Sequence, residues 1–158
     1  MKAEYIYGDL VKDNWFDVFC HQTNCFGTMG AGLAKQIAKK YPEVANTDRR
    51  LYRMLGADEL FGTIRCIKTS DGRTCVNMYA QYGFGRGTIH TNYRQLQKCL
   101  DAFAEFCIEN LEYSKVVAFP YGMGCGLAGG DWSAVEPLIL AFAERVPQRV
   151  YIVRRNGR

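Results

Sequence analysis

Two side chains capable of proton chemistry border glycine-rich stretches of the sequence, His21 and Asp131. His21 ends an apolar run and lies just before the glycine loop at residues 27–32, where a histidine can transfer a proton near neutral pH. Asp131 directly follows the glycine-rich stretch 122–130, and a neighbouring phosphate would raise its pKa into a useful range. Each residue also has a structural interpretation, His21 as a hydrogen-bonded core residue and Asp131 as a helix N-cap. The residues alone leave both interpretations open.

Three glycine-rich loops occur, at residues 27–32, 83–87 and 122–130, each between an apolar strand-like run and a helix-like run. Glycine lets the backbone approach a ligand closely, and a helix N-terminus favours anions. In open α/β sheets the loops at the carboxyl ends of strands meet in one crevice. The pattern therefore predicts a site for a phosphorylated ligand, and a nucleotide in particular.

Other polar residues in or near these loops have two interpretations each. Asn24 can hydrogen-bond a sugar hydroxyl as donor and acceptor. Asp9 can accept a hydrogen bond from an exocyclic amine such as that of adenine, or serve only as a turn residue. Arg86 and His90 can contact an anionic substrate or remain solvated.

The chain has seven cysteines, an odd number, and several lie in apolar runs. This predicts reduced thiols in a cytoplasmic compartment instead of a disulfide framework. Cys20, His21 and Cys25 are close in sequence, but no CxxC or HxxxH pair accompanies them, so no metal site is predicted. Cys25 and Cys125 are interpreted as packing residues, because no Cys–His–acid series marks either as a nucleophile.

Length and composition indicate one domain spanning residues 1–158, with 48% hydrophobic and 23% charged residues. The net charge of +4 favours an anionic ligand without requiring nucleic acid, and no basic arm is present. No signal peptide or membrane-spanning stretch is apparent, so a cytoplasmic protein with no membrane partner is expected. The oligomeric state cannot be read from the residues.

Strand and helix patterns alternate along the chain. Strands are predicted at residues 5–7, 17–22, 63–68, 74–79, 115–119 and 150–153. Helices are predicted at 32–41, 44–55, 93–111 and after Asp131, with Pro137 producing a kink or a late start in the last one. This order predicts an α/β fold with a mixed sheet and helices on both faces.

Three motifs in this chain resemble those of the macro domain family and come in the same order. They are Gly8-Asp9-Leu10, the run 21–34 beginning His21-Gln22-Thr23-Asn24, and Gly124-Cys125-Gly126-Leu127. The resemblance implies a three-layer α/β/α sandwich that binds ADP-ribose with no metal or other cofactor. The first loop, running into Gln36, Tyr41 and Pro42, is most similar to the ADP-ribose-1''-phosphate phosphatase branch. The third loop is similar to the terminal ADP-ribose glycohydrolase branch.

The resemblance also implies a ligand-binding set. Asp9 would bind the adenine amine, Asn24 and the turn 30–32 the distal ribose, and the backbone of 122–127 the diphosphate. Tyr121 and Asn156 are candidates to stack on adenine. The full set is Gly8, Asp9, Leu10, Gln22, Thr23, Asn24, Met29, Gly30, Ala31, Gly32, Leu33, Ala34, Pro120, Tyr121, Gly122, Met123, Gly124, Cys125, Gly126 and Leu127.

Two departures from the glycohydrolase branch argue against a mechanism through a lysine adduct. The segment Phe84-Gly85-Arg86 lacks that branch's catalytic lysine, and Ala128 replaces the aspartate after its third-loop leucine. The favoured reaction removes the 1''-phosphate, with Asp131 activating water or protonating the leaving group and His21 assisting. The alternatives are release of ADP-ribose from a protein or nucleic-acid adduct, and a non-catalytic ADP-ribose reader.

Overall fold

The computed structural model describes residues 2–85 and 87–155, and strands and helices alternate as the sequence predicts. Their order is β1 (Ala3–Tyr7), β2 (Val18–Gln22), α1 (Gly32–Lys40), α2 (Pro42–Leu55), α3 (Ala57–Leu60), β3 (Ile64–Lys68), β4 (Thr74–Met78), α4 (Tyr93–Glu109), β5 (Val116–Pro120), α5 (Trp132–Arg145) and β6 (Arg149–Arg154).

The strands form one six-stranded sheet in the order β1-β6-β5-β2-β4-β3. Neighbouring strands are parallel except β3, which pairs antiparallel with β4 across the hairpin turn containing Asp71-Gly72. The predicted α/β fold with a mixed sheet is therefore confirmed.

Helices cover both faces because the strand residues alternate between them. On β2, Val18 and Cys20 pack into the cluster that contains Leu100 of α4 and Phe142 of α5. The intervening Phe19 packs into the cluster formed with α1 and α2. By the same alternation His21 faces the α1/α2 layer.

The strand order creates a crevice between β5 and β2. These strands are neighbours, but the chain continues from β5 through α5 to β6 on one side, and from β2 towards β3 and β4 on the other. The loops after β2 and β5 diverge, and such a switch point is where open α/β sheets bind ligands.

Pro137 lies inside α5 and does not delay its start, because the helix begins at Trp132. Of the two outcomes predicted for this proline, the late start is wrong. No helix in the described part of the chain is long and apolar enough to cross a membrane.

A buried arginine fixes the segment between β1 and β2. Arg73, 3% exposed, donates to the carbonyl oxygens of Leu10, Val11 and Phe16, each at 2.8 Å. Its guanidinium also lies 4.2 Å from the ring centre of Phe19. One side chain on the β3–β4 hairpin thereby holds the loop that carries Asp9.

Candidate ligand-binding cleft

A cleft of about 910 Å³ opens at the carboxyl ends of the parallel strands. Its lining comes from the segments after β1, β2, β4, β5 and β6, as expected for loops converging on one crevice. The lining residues are Asp9, Leu10, His21, Gln22, Asn24, Thr28, Gly30, Ala31, Gly32, Leu33, Ala34, Gln36, Gln81, Phe84, Gly85, Pro120, Tyr121, Gly122, Met123, Gly124, Gly126, Leu127, Ala128, Val153, Arg154 and Arg155.

His21 lies at the floor of the cleft in a buried polar network. Its Nε2 is 2.7 Å from Oδ1 of Asn77, the residue beside it on β4. Asn77 Nδ2 donates to the Tyr79 hydroxyl (3.2 Å), which donates to Asp48 Oδ1 on α2 (2.6 Å). This direction of donation makes Nε2 of His21 the protonated nitrogen.

Burial lowers the pKa of His21 to about 4, although the hydrogen bond to Asn77 opposes this shift. The imidazole is therefore neutral at pH 7, and Nδ1 carries a lone pair. Nδ1 has no hydrogen-bond partner within the described residues, and neither do Gln22 Oε1 and Thr23 Oγ1 beside it. Three consecutive residues at the end of β2 thus each carry a buried side-chain atom without a partner in the described chain.

Asn24 holds the first glycine loop in shape. Its Nδ2 donates to the carbonyl oxygen of Thr28 (2.8 Å), and its Oδ1 accepts from the amide of Phe26 (2.9 Å). One amide hydrogen and one lone pair of Asn24 remain for a ligand.

The first loop leads into α1 without a side-chain cap. Ala31 occupies the N-cap position and makes no capping hydrogen bond. The first three residues of the helix, Gly32, Leu33 and Ala34, all line the cleft. Their amides have no partner among the described residues, so this helix start presents free donors and a partial positive charge.

The third glycine loop, residues 122–130, is hydrogen-bonded mostly to itself. Cys125 N donates to Gly122 O (2.8 Å), and Gly130 N donates to Gly124 O (2.8 Å). Within the described chain the amides of Gly122, Gly124, Gly126 and Leu127 have no such partner, although all four residues line the cleft. These amides are suited to an anion.

Gln22 supports this loop from below. Its Nε2 donates to Thr91 Oγ1 (2.9 Å), and the Thr91 hydroxyl donates to the Gly124 carbonyl oxygen. A Cβ at Gly124 would lie 2.7 Å from Gln22 Oε1, and the residue has a φ of +76°. The backbone conformation therefore favours glycine at 124, and a larger residue would also displace the amide group of Gln22.

Asp131 lies outside the lining of the cleft. Its Oδ1 accepts hydrogen bonds from the amide (2.9 Å) and hydroxyl (2.8 Å) of Ser133, so the carboxylate caps α5. The structure thus does not bring Asp131 and His21 together in the cleft lining, and a catalytic role for Asp131 stays a prediction.

Asp9 occupies the other end of the cleft, three strands away from β2, a span of about 14 Å at the usual strand spacing. Its Oδ1 accepts from the amides of Val11 and Lys12, both at 3.0 Å, and its Oδ2 lies 3.9 Å from Arg155. Partial burial raises the pKa of this carboxyl, but the two amides and Arg155 outweigh that effect and hold it below its ordinary value. Oδ2 is free to accept from a ligand amine.

Tyr121 and Arg154 form a stacked pair at the same end. The Arg154 guanidinium lies 4.2 Å from the ring centre of Tyr121, and both residues line the cleft. Asn156, the other residue predicted to stack on adenine, lies outside the described residues.

Four residues of the predicted binding set lie behind the lining instead of in it. Thr23 and Met29 are buried, Gly8 donates its amide to Arg154 O (2.9 Å), and Cys125 Sγ donates to Met123 O (3.4 Å). These residues shape the loops that form the cleft walls.

Several lining residues were not predicted to bind a ligand. Gln81 follows β4, and Val153, Arg154 and Arg155 end or follow β6. The rule that identified the other loops, that strand carboxyl ends meet in one crevice, applies equally to these two strands. His90 is not in the lining, and Arg86 lies outside the described residues.

The described residues contain no group of three or more His, Cys, Asp or Glu side chains placed to hold a metal ion. Burial raises the pKa of the Cys25 thiol to about 12, with smaller contributions from Asp48 and Asp58, and burial likewise raises that of Cys125, with Asp131 adding to it. Neither thiol is therefore activated as a nucleophile.

Comparison with known proteins finds relatives that match most of this chain. An uncharacterised 17.5 kDa protein of Enterobacteria phage T4 is 26% identical over 92% of this chain and 93% of its own length. A DNA ADP-ribosyl transferase–DNA ADP-ribosyl glycohydrolase fusion protein of Thermosipho africanus is 24% identical over 82% of this chain, which spans 36% of the fusion. The macrodomain of Mycobacterium tuberculosis DarG superposes with a TM-score of 0.81 at 19% identity, covering 98% of this chain and 99% of that one.

The family model described as Macro domain matches residues 20–139. This match covers β2 to α5, the elements that carry the first and third glycine loops, and the chain therefore belongs to the macro domain family.

Proposed function

We propose that this chain binds ADP-ribose in the cleft and hydrolyses a bond at the distal ribose. One observation carries the proposal: two sets of unpartnered backbone amides, at the start of α1 and in the third loop, line the same cleft. Such paired donors fit a diphosphate. In this proposal Asp9, about three strand spacings away from β2, would accept from an adenine amine at one end, and Asn24 would bind the distal ribose at the other.

The favoured reaction is release of ADP-ribose from a nucleic-acid adduct. The similarity to the Thermosipho fusion protein, which is named as a DNA ADP-ribosyl glycohydrolase, supports this choice. Water would attack C1'' of the distal ribose while the bond from C1'' to the attached atom breaks. The bond's electron pair stays with that atom, which takes up a proton as the water loses one.

The described lining contains one carboxylate, Asp9, and it lies at the adenine end. His21 is neutral at pH 7, and its protonated nitrogen is already bonded to Asn77. We therefore assign His21 an orienting role and assign activation of water to the phosphate oxygens of the bound substrate. The free amides of the two loops would stabilise the charge that develops on those phosphates.

Removal of phosphate from ADP-ribose-1''-phosphate is the second candidate. The position of His21 in the lining, next to Asn24, supports it. In that reaction the same water attack releases inorganic phosphate, and Asp131 would have to reach the cleft from its capping position.

A turnover assay with three substrates tests the proposal. Purified protein with EDTA is mixed separately with ADP-ribosylated single-stranded DNA, ADP-ribosylated protein and ADP-ribose-1''-phosphate, and free ADP-ribose is followed by chromatography. Free ADP-ribose is expected from the ADP-ribosylated DNA and from neither of the other two substrates. Product from the phosphate ester alone would establish the phosphatase instead. Binding of ADP-ribose by calorimetry without any turnover would identify a reader, and absence of binding would overturn the whole proposal.

A further inference from the structure

We propose that the rim of the cleft beside the first loop is a docking surface for single-stranded nucleic acid. Bases would stack on the rings of Phe84 and Tyr82, and Arg49 and Arg53 would contact phosphates. The inference rests on the proposed function, because it assigns a surface to the macromolecule that carries the ADP-ribose.

Five rings form a continuous cluster at this rim, named here the aromatic rim: Phe26, Tyr52, Phe61, Tyr82 and Phe84. Ring centres of Phe26 lie 5.6 Å from Tyr52, 5.2 Å from Tyr82 and 6.4 Å from Phe84, and Tyr82 lies 5.4 Å from Phe61. The cluster therefore reaches from the cleft, which Phe84 lines, outward to α2 and the end of α3.

Two of these rings are open to solvent. Phe84 is 59% exposed and Tyr82 is 40% exposed, although Phe84 is wholly apolar. Both are supported from behind by Phe26, which fixes their position at the mouth of the cleft. Rings held in this way are the platforms on which unpaired bases stack.

The adjoining face of α2 supplies positive charge. Arg49, Tyr52 and Arg53 share one face of the helix by their three- and four-residue spacing. A Cβ placed on Gly27 would lie 3.3 Å from the Arg49 backbone and 2.9 Å from Tyr52, so this face packs directly on the first loop. Arg49 and Arg53 are exposed and form no ion pair within the described chain.

Exposed carboxylates beside the aromatic rim are supplied by α3. Asp58 accepts a hydrogen bond from the Tyr82 hydroxyl (2.6 Å), which holds the ring in place, and Glu59 is its exposed neighbour. They limit the positive surface to the α2 side, so the phosphate backbone is expected to follow α2 and the bases to face the rings.

The combination identifies the class of partner. Exposed ring faces suit a strand whose bases are unstacked, whereas a duplex keeps its bases inside. The unpaired arginines fit phosphates. A single strand uses both features at once, and the adduct would enter the cleft past Phe84.

Fluorescence anisotropy with an unmodified, labelled single-stranded oligodeoxynucleotide tests the surface independently of turnover. Phe84→Ala is expected to weaken binding at least fivefold, from the loss of one stacking platform. The double variant R49E/R53E is expected to weaken it at least tenfold and to reduce the slope of log Kd against log salt by about 1.4, for two lost phosphate contacts.

The matched control is K68E/R149E, which makes the same charge change at the end of the sheet that faces away from the cleft, where β3 ends and β6 begins. It should change oligonucleotide affinity less than twofold. Affinity for free ADP-ribose, measured by calorimetry, should stay within twofold in R49E/R53E and K68E/R149E, whose residues lie outside the cleft lining.

Loss of oligonucleotide binding equal to that of the control would overturn the inference. Binding of the corresponding duplex or of an acidic peptide as tightly as the single strand would also overturn it. If the oligonucleotide binds as expected but no ADP-ribosylated substrate is hydrolysed, the docking surface stands and the proposed reaction fails.

Discussion

The segments after β2 and after β5 bound the same cleft, yet they satisfy their polar groups differently. On the β2 side, α1 starts without a side-chain cap, and three buried side-chain acceptors lack partners in the described chain. On the β5 side, the third loop is bonded to itself and Asp131 caps α5. Both sides leave backbone amides without partners in the described chain, and the β2 side also leaves buried side-chain atoms without partners, which are costly unless a ligand or water pairs with them.

The β5 side is instead organised before any ligand binds. Gly124 and Gly130 allow the loop to fold tightly on itself, and Gln22 and Thr91 hold it from beneath. The β5 side thus provides a rigid backbone loop, whereas the β2 side provides polar groups that gain hydrogen bonds when a ligand binds.

The largest effect expected from this difference is the pH dependence of stability through His21. Its pKa is about 4 in the native protein against an ordinary value of 6.5. Between these values the unfolded chain takes up a proton that the native protein does not, so stability falls as pH drops from 6.5 to 4, by up to about 3 kcal/mol.

Urea denaturation at pH 7, 5.5 and 4.5 measures this loss. His21→Gln, which cannot titrate, is the control for the carboxylates that also protonate in this range. Equal pH dependence in the two proteins would show that His21 is not buried in its neutral form.

A carboxylate at the start of α1 would supply the side-chain cap that this helix lacks, so it should remove much of the difference between the β2 and β5 sides of the cleft. Ala31→Asp would cap α1 but put negative charge among the amides that face the cleft. We expect ADP-ribose affinity to fall at least about 100-fold, because a carboxylate beside a phosphate costs several kcal/mol at short range. Calorimetric titration measures it.

Ala31→Ser is the matched control, because it offers a cap without charge. A fall in affinity as large as that of the aspartate variant would show that the helix amides, not their charge environment, are what matters.

On the β5 side, Gly124→Ala should destabilise the protein by about 2 kcal/mol, from a left-handed backbone position and contact with Gln22. Gly126→Ala is the control in the same loop, since a Cβ there meets no atom within 4 Å. Thermal unfolding of both variants compares them. Equal melting temperatures would mean that the third loop is not held rigidly.

The smallest effect is expected at Asp131. Asp131→Ala should cost about 1 kcal/mol of stability through the lost cap, and Asp131→Asn almost nothing, because asparagine caps as well as aspartate. Turnover of whichever substrate the three-substrate assay identifies should stay within threefold for Asp131→Asn. A hundredfold loss of turnover with unchanged stability would instead establish Asp131 as a catalytic acid or base.

Much of the fold follows from local patterns in the sequence. The three- and four-residue spacing of Leu96, Leu100, Phe103 and Cys107 predicts α4, and all four are buried in its core-facing side. The predicted strand ends also indicate which glycine loops form the cleft, because loops at the carboxyl ends of the strands meet at the same end of the sheet.

The sequence could not reveal the contacts of His21, because its partners are distant in the chain. His21 meets Asn77 only through the register of β2 with β4, and the network reaches α2 through Tyr79 and Asp48. Asp131 is followed at once by a helix, which predicts a cap as readily as a catalyst. The structure shows the cap, whereas the catalytic role stays a prediction.

The clamp formed by Arg73 has a consequence for the order of folding. Its bonds to Leu10, Val11 and Phe16 join residues 57 to 63 positions apart in the chain. Contacts over such separations form slowly, because the intervening loop must first be closed. The turn that carries Asp9 is expected to become rigid only after the β3–β4 hairpin has docked, so the end of the cleft that Asp9 lines should form late in folding, although it is encoded at the start of the chain.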